Sequence, residues 1–266
     1  MNGTAIGDGP TAPVRTKALV AFGFCAVIAL AWVLAAGRVP PYILPAPAEI
    51  GQAAVKFFGS ARQMAHLGAT LAHIGISIAI AFTLGVLLAL VAHYARWSAA
   101  TIHQRLSPFL NAFSGIGWTL LAVIWFGVSS ATVVFSISVV LLPFAIVNLR
   151  EGLLALDREL IEMGSSFGRG RWRNFTAIMV PALLPFAAAT LRIMFGVAWK
   201  VALTAELFGG SRGLGYMINI ARQDYDTATI FTVILFIILA VYLADRSVFA
   251  PLERYTSRHF GRATAK

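Results

Sequence analysis

Charge is what this sequence has least of. Only 12% of its 266 residues are Asp, Glu, Lys or Arg, while 59% are hydrophobic. That charge content is about half the share found in soluble domains. A water-soluble fold cannot cover so much apolar surface with so few charges, and the lipid bilayer is the solvent that fits. Cysteine is nearly missing too. The single one, Cys25, excludes an intramolecular disulfide and a multi-cysteine metal site. It lies in an apolar run and reads as a small apolar helix residue. His66, His73, His93, His103 and His259 form no cluster of metal ligands. His66 and His73 are spaced to share a helix face, but two ligands without a nearby acid make a weak site. No phosphate-binding loop of the form GxxxxGK[ST] occurs, so any ATP and its Mg are expected on another chain and no cofactor on this one. No nucleophile and base pair up as an enzyme would require. The net charge of +10 comes without a nucleic-acid-binding signature, which leaves nucleic acid out.

What is present is a series of long uncharged runs. A membrane span needs about 20 apolar residues. Residues 1–17 are rich in Gly, Thr, Pro and Ala and read as a disordered tail. Ala18 to Gly37 gives the first span, too long for a signal-peptide core. A second is expected at Ala69 to Ala92. The uncharged stretch between Arg105 and Arg150 is too long for one helix at 1.5 Å per residue. It divides into Leu110 to Phe126 and Ala131 to Leu149, around a turn at Gly127-Val128-Ser129-Ser130. The fifth span begins near Leu183 and runs to Phe208, and the sixth lies between Asp226 and Asp245. The reading is an all-α, polytopic membrane protein of six transmembrane helices, with a membrane domain over 18–250 and a C-terminal tail over 251–266.

Lys and Arg collect in alternate connections, and the positive-inside rule then places both termini in the cytoplasm. The connection from Arg150 to about residue 182 is expected to be cytoplasmic. Two connections on the other side have content. Pro45-Ala46-Pro47 leads into an amphipathic helix over Ala48 to Phe58. Gly209 to Tyr225 is a glycine-rich lip.

The cytoplasmic loop is dense in charge amid apolar surroundings. Asp157 to Phe167 can form a short helix whose acids Asp157, Glu159 and Glu162 sit early, where the helix dipole favours them. Gly168 and Gly170 end it, Arg169, Arg171 and Arg173 follow, and Pro181 and Pro185 mark the next span. The segment reads either as a solvated loop obeying the charge rule or as a docking knob that passes rigid-body motion from a cytoplasmic partner to the spans.

Glu162-Met163-Gly164, then Gly168, then Ile178-Met179-Val180-Pro181 resembles the EAA motif of ABC importer permeases, with Met163 and Gly164 replacing two alanines and Val180 a leucine. Leu44-Pro45-Ala46-Pro47, Ile124-Trp125-Phe126-Gly127, Ala205-Glu206 with Gly213-Leu214-Gly215-Tyr216, and Ala244-Asp245 are similar to segments of the nitrate, taurine and aliphatic-sulfonate permeases, in that family's order. The resemblance covers about Leu44 to Phe260. It implies the type I ABC importer permease fold in a bacterial inner membrane. It also implies a coupling helix containing Asp157, Glu159, Glu162, Met163, Gly164, Ser165, Phe167, Gly168 and Arg169. The implied partners are two cytoplasmic ATPase subunits, a second permease copy, and a periplasmic or lipid-anchored solute-binding protein.

Charges within spans are functional candidates. Counted from Pro181, Arg192 is expected about 16 Å along the fifth span, near mid-membrane. It either pairs with polar groups of the bundle interior or lines the path and attracts an anion. Lys200 and Glu206 are expected nearer the outer face, where snorkelling is the ordinary role. With Arg192 they would suit an anionic or zwitterionic solute. Trp118, Trp125 and Trp199 are either interface anchors or stacking surfaces for a solute. The alternatives are a permease of another importer subfamily, a secondary transporter, and a membrane-embedded enzyme. A secondary transporter would need an inverted repeat and paired mid-span acids, which the sequence lacks.

Overall fold

A computed structural model of the chain describes residues 23, 27, 31–40, 42–155, 176 and 179–252. Among them all regular structure is helical. Four helices are long and apolar enough to cross a membrane, five if a bent pair is taken as one span. Most of the expected first span lies outside the described residues. Its end, helical over 31–36, is fastened by the Trp32 indole donating to the Pro45 carbonyl at 3.2 Å.

Helix α1, Pro47–Gly59, is the expected amphipathic helix. Pro47 stands in its first turn, where no backbone donor is missed. The Glu49 carboxylate accepts from the Ala46 N–H at 3.0 Å, satisfying one of the free donors of the helix start. Its inner face buries Phe57, whose ring lies 5.7 Å from Phe236.

Helix α2, Ala61–Tyr94, is longer than the sequence suggested. At 1.5 Å per residue it extends about 50 Å, more than a bilayer core requires. It buries small and polar side chains, including Thr70, Ser77, Ala81, Gly85 and Ala89, at three- and four-residue intervals. That seam lets backbones approach, the packing mode available where lipid removes the hydrophobic drive. At Gly85 an added Cβ would collide with the Cβ of Ala145.

The expected span Leu110 to Phe126 is not one rod. Helix α3, Arg96–Ala100, runs through a π-helical turn at Thr101–Leu106 into α4, Ser107–Ala112. After Phe113 the chain turns by 84° into α5, Gly115–Phe126. Ser114 makes the corner, its hydroxyl accepting from the Gly117 N–H at 3.2 Å as the cap of α5. Gly117 leaves room for the Phe113 ring, which a Cβ would meet at 2.6 Å. A run without charges hid this break, because hydropathy averages over a corner made of Ser and Gly.

The second turn falls where the sequence placed it. Gly127 takes φ +64, and Ser129 caps α6, Ser130–Leu154, by accepting from the Thr132 N–H. Helix α6 is the axis of the bundle, with Val133, Ile137, Leu141 and Ala145 wholly enclosed. Helix α7, Val180–Gly209, begins three residues before Leu183, with Pro181 in its first turn. Helix α8, Leu214–Gln223, and α9, Thr227–Ala244, follow. Asp226 caps α9 by accepting from the Thr229 N–H at 3.1 Å. A π-helical turn, Asp245–Phe249, continues it.

The bundle therefore has two distinct ends. One carries Leu154 and Val180 and borders the charged loop. The other carries the glycine-rich lip at 209–226.

Candidate functional site

Glu206 lies in the last turn of α7 and is wholly buried. This corrects the expectation that it snorkels: the chain after Gly209 folds back over it instead of leaving it to water. Its Oε1 lies 2.8 Å from Nδ1 of His73. Its Oε2 accepts from the Thr70 hydroxyl at 2.9 Å and from the Gly215 N–H at 2.9 Å. Thr70 in turn accepts from the Leu214 N–H at 2.7 Å. One carboxylate thus joins α2, α7 and the start of α8. A buried carboxyl group needs hydrogen-bond partners of this number to be tolerated.

Glycine is required by that knot. Gly213 has φ +117, a region side chains rarely enter, and a Cβ there would overlap the Glu206 carboxylate. A Cβ on Gly215 would strike the Leu203 carbonyl. The Ala205-Glu206 and Gly213 to Tyr216 segments, separate in sequence, are two halves of one contact. Sequence reasoning missed Thr70 and His73. The available signal was a carboxylate in an apolar helix, which demands a partner, and a histidine in another such helix.

A second polar site lies lower on α7, facing outward. Arg192 holds Asp245 with two parallel hydrogen bonds, Nε to Oδ1 at 2.7 Å and Nη2 to Oδ2 at 3.0 Å. This is the strong, planar form of the pairing. Both side chains remain about 40% exposed, at 37% and 42%. They border an open cleft of about 610 Å³ lined also by Gly196, Val197 and the exposed Lys200. Arg192 is about 18 Å along α7 from Val180, at membrane depth. Exposed charge at such depth is expensive against lipid, so this face requires protein or water opposite it. Arg192 and Lys200 line the same cleft, and Asp245 is their unforeseen neighbour.

Trp118 and Trp199 do not join them. Trp118 is buried, its indole donating to the Leu110 carbonyl at 3.3 Å while its ring meets Phe113 edge-on at 5.4 Å. It braces the 84° corner and offers no stacking surface, which corrects its assignment to the path. Trp199 is also buried, against Phe195, and its Nε1 lacks a hydrogen-bond partner among the described residues. Glu206 likewise leaves the path group. Asp157, Glu159, Glu162, Met163, Gly164, Ser165, Phe167, Gly168 and Arg169 lie outside the described residues.

The helices flanking that loop form a built junction. An apolar cleft of about 160 Å³ is lined by Val86 and Leu90 of α2, Leu149 and Leu153 of α6, and Leu183 and Leu184 of α7. Gly152 lets Phe186 sit against α6, where a Cβ would lie 2.8 Å from the ring. The two helices that bracket the loop are packed on each other next to it.

The family described as "Binding-protein-dependent transport system inner membrane component" matches residues 60–250. The taurine transport system permease protein TauC of Escherichia coli (strain K12) is 24% identical over 257 residues, covering 93% of this chain and 92% of its own length. The formylaminopyrimidine transport permease protein ThiX of Halalkalibacterium halodurans is 31% identical over 213 residues, 78% of this chain and 83% of its own. A putative aliphatic sulfonates transport permease protein, SsuC of Bacillus subtilis (strain 168), is 25% identical over 225 residues, 84% and 81%. Among solved structures, the inward-facing MetNI methionine ABC transporter superimposes with a TM-score of 0.58 at 16% identity, covering 77% of this chain and 100% of that one. That likeness is one of fold.

Proposed function

The chain belongs to the family of binding-protein-dependent transport system inner membrane components, and from that premise we propose how its geometry serves as the permease of an ATP-driven importer. The solute crosses unchanged, by alternating access. The observation that carries this reading is the continuity of α7: one helix runs from the end of the charged loop, past the Arg192–Asp245 cleft, to the Glu206 knot that holds the lip. The loop over 150–182 faces the cytoplasm, as do both termini, which the distribution of Lys and Arg supports. The segment from Asp157 to Phe167, with Glu162 in it and Gly168 at its end as the mechanical contacts, is proposed to seat in a groove of an ATPase subunit. ATP and Mg reside on that subunit. ATP-driven closure moves the loop, and α7 carries the displacement to the lip as a rigid body.

A second permease copy faces the Arg192 cleft, and the path lies between the two. An ion pair at this depth, with Lys200 beside it, gives the path a polar wall. That wall suits a small anionic or zwitterionic solute, delivered by a periplasmic or lipid-anchored binding protein. The taurine and sulfonate relatives support the class. ThiX, named for a formylaminopyrimidine, is a relative of the same standing and argues against a narrower choice.

The test is coupling. In proteoliposomes containing this chain, its ATPase and its solute-binding protein, Gly168→Trp should leave ATP hydrolysis running while solute uptake falls at least about tenfold. Wild-type uptake per ATP in that variant would remove the coupling assignment. Uptake by the chain without any ATPase, driven by an ion gradient, would replace the importer with a secondary transporter.

A further inference from the structure

At the lip end, a cavity of about 310 Å³ opens between the start of α2 and the turn joining α8 to α9. That volume is at the small end of ligand sites. Its two sides have opposite chemistry. Helix α2 contributes Arg62, Gln63 and His66; the turn contributes Asp224 and Asp226; Met217, Ile220 and Ala221 of α8 supply an apolar floor. We infer that this cavity is a subsite for a small zwitterion, its anionic head toward Arg62 and His66 and its ammonium toward Asp224.

His66 is set up as a donor. Its Nδ1 accepts the Gly213 N–H at 3.2 Å, so the proton of the neutral ring resides on Nε2. The ring is held by stacking on Tyr216, with centroids 5.8 Å apart. Arg62 adds a permanent cation with a planar array of donors, suited to an oxyanion. Neither Arg62 nor Asp224 forms an ion pair among the described residues, so both charges are available. Asp226 is not equivalent, because both its oxygens are committed to Thr229 at the cap of α9. The Oε1 of Gln63 is enclosed and lacks a hydrogen-bond partner among the described residues, an acceptor still waiting for a donor.

The mixture of charges disfavours a dianion or a simple cation. A dianion would meet the Asp224 carboxylate, and a simple cation would meet Arg62; like charges at close range are unfavourable in either case. A molecule carrying both signs satisfies both sides. The same His66 that would touch the anionic head also holds Gly213, which covers Glu206. Occupancy of the cavity is therefore one hydrogen bond removed from the knot that fixes the lip to α7. The inference rests on the importer reading for its meaning, since it places this cavity where solute arrives from outside, but its chemistry stands independently of ATP.

The test uses the full-length chain in lipid nanodiscs, with Cys25→Ala and a reporter thiol at the cavity floor, Ile220→Cys, or Ala221→Cys if the first does not fold. Maleimide labelling is timed with taurine, ethanesulfonate or ethylamine as probe. Taurine should slow labelling about fivefold when four-fifths of the sites are filled, and the two single-charge analogues should not. Arg62→Gln and Asp224→Asn should each abolish the protection. Equal protection by ethanesulfonate, equal protection by ethylamine, or none from taurine at saturation would overturn the proposal. ATPase coupling is absent from this assay. Loss of ATP-driven uptake with protection intact would remove the importer reading and leave the subsite standing.

Discussion

Glu206 brings a carboxyl group into the wholly enclosed interior of the bundle, and three neighbours make that tolerable. His73, Thr70 and the Gly215 N–H share its two oxygens. Removing the carboxylate strands a buried imidazole, a hydroxyl and a backbone donor together. Glu206→Ala should therefore destabilise the chain by about 3 kcal/mol, the scale for breaking a buried pair from one side. Glu206→Gln keeps an acceptor of the same reach and should lose less than half of that. Unfolding monitored by steric trapping in bicelles would measure both, and equal stability of the alanine variant would mean the knot is slack. The order matters because a purely volumetric role would make alanine and glutamine differ only through packing. At the same scale, Arg192 and Asp245 are a different kind of pair. They are half exposed and bidentate, so their role is to present charge at a face more than to hold the fold.

Elements explain which parts of this architecture the sequence could announce. Helix α9 lies where two aspartates bracket an apolar run, and the structure starts it one residue after Asp226. The turn at Gly127 was visible because glycine and serines interrupt a run too long for one helix. The 84° corner at Ser114 was not, because its cause is a capping serine and a glycine beside an aromatic ring, none of which changes hydropathy. Arg192 and Lys200 were legible as outliers in an apolar helix, but Asp245 was not connected to them, since pairing across α7 and α9 depends on tertiary contact. Glu206 was legible as important and misplaced in role, because what buries it is the turn before α8 and that helix's first residues, a contact that only the tertiary fold makes. Helix packing itself follows small residues. Gly85 opposes Ala145 so closely that Gly85→Val must push α2 from α6. Overpacking of this kind should cost about 1–3 kcal/mol and lower the midpoint of thermal unfolding, while Gly75→Val, with open space at the same helix, should not. Matching effects at the two positions would show that the α2–α6 seam is looser than this.

At the scale of the whole molecule, the decisive feature is an unbalanced surface. Apolar faces such as Ile124, 79% exposed, suit lipid as they stand. The α7–α9 face does not, because it combines an exposed ion pair, Lys200 and an open cleft. A single chain in a bilayer would leave those charges against hydrocarbon, at a cost of roughly 3 kcal/mol or more for each unpaired charge near mid-membrane. A second copy, or water enclosed by one, removes that cost. Gly196 lies in this cleft, and among the described residues nothing beyond its own helix backbone and chain neighbours comes within 4 Å of a Cβ built there, so a side chain at that position projects into whatever fills the space. In membranes carrying the Cys25→Ala chain, Gly196→Cys should give a covalent dimer with a short bis-maleimide, and Ile124→Cys should not. Solute should change the yield at Gly196, because the spacing across a transport path must differ between its two access states. A Gly196→Cys chain that stays monomeric in native membranes, while labelling freely with a lipid-soluble maleimide, would turn this face toward lipid. The path would then have to be sought on another side of α7.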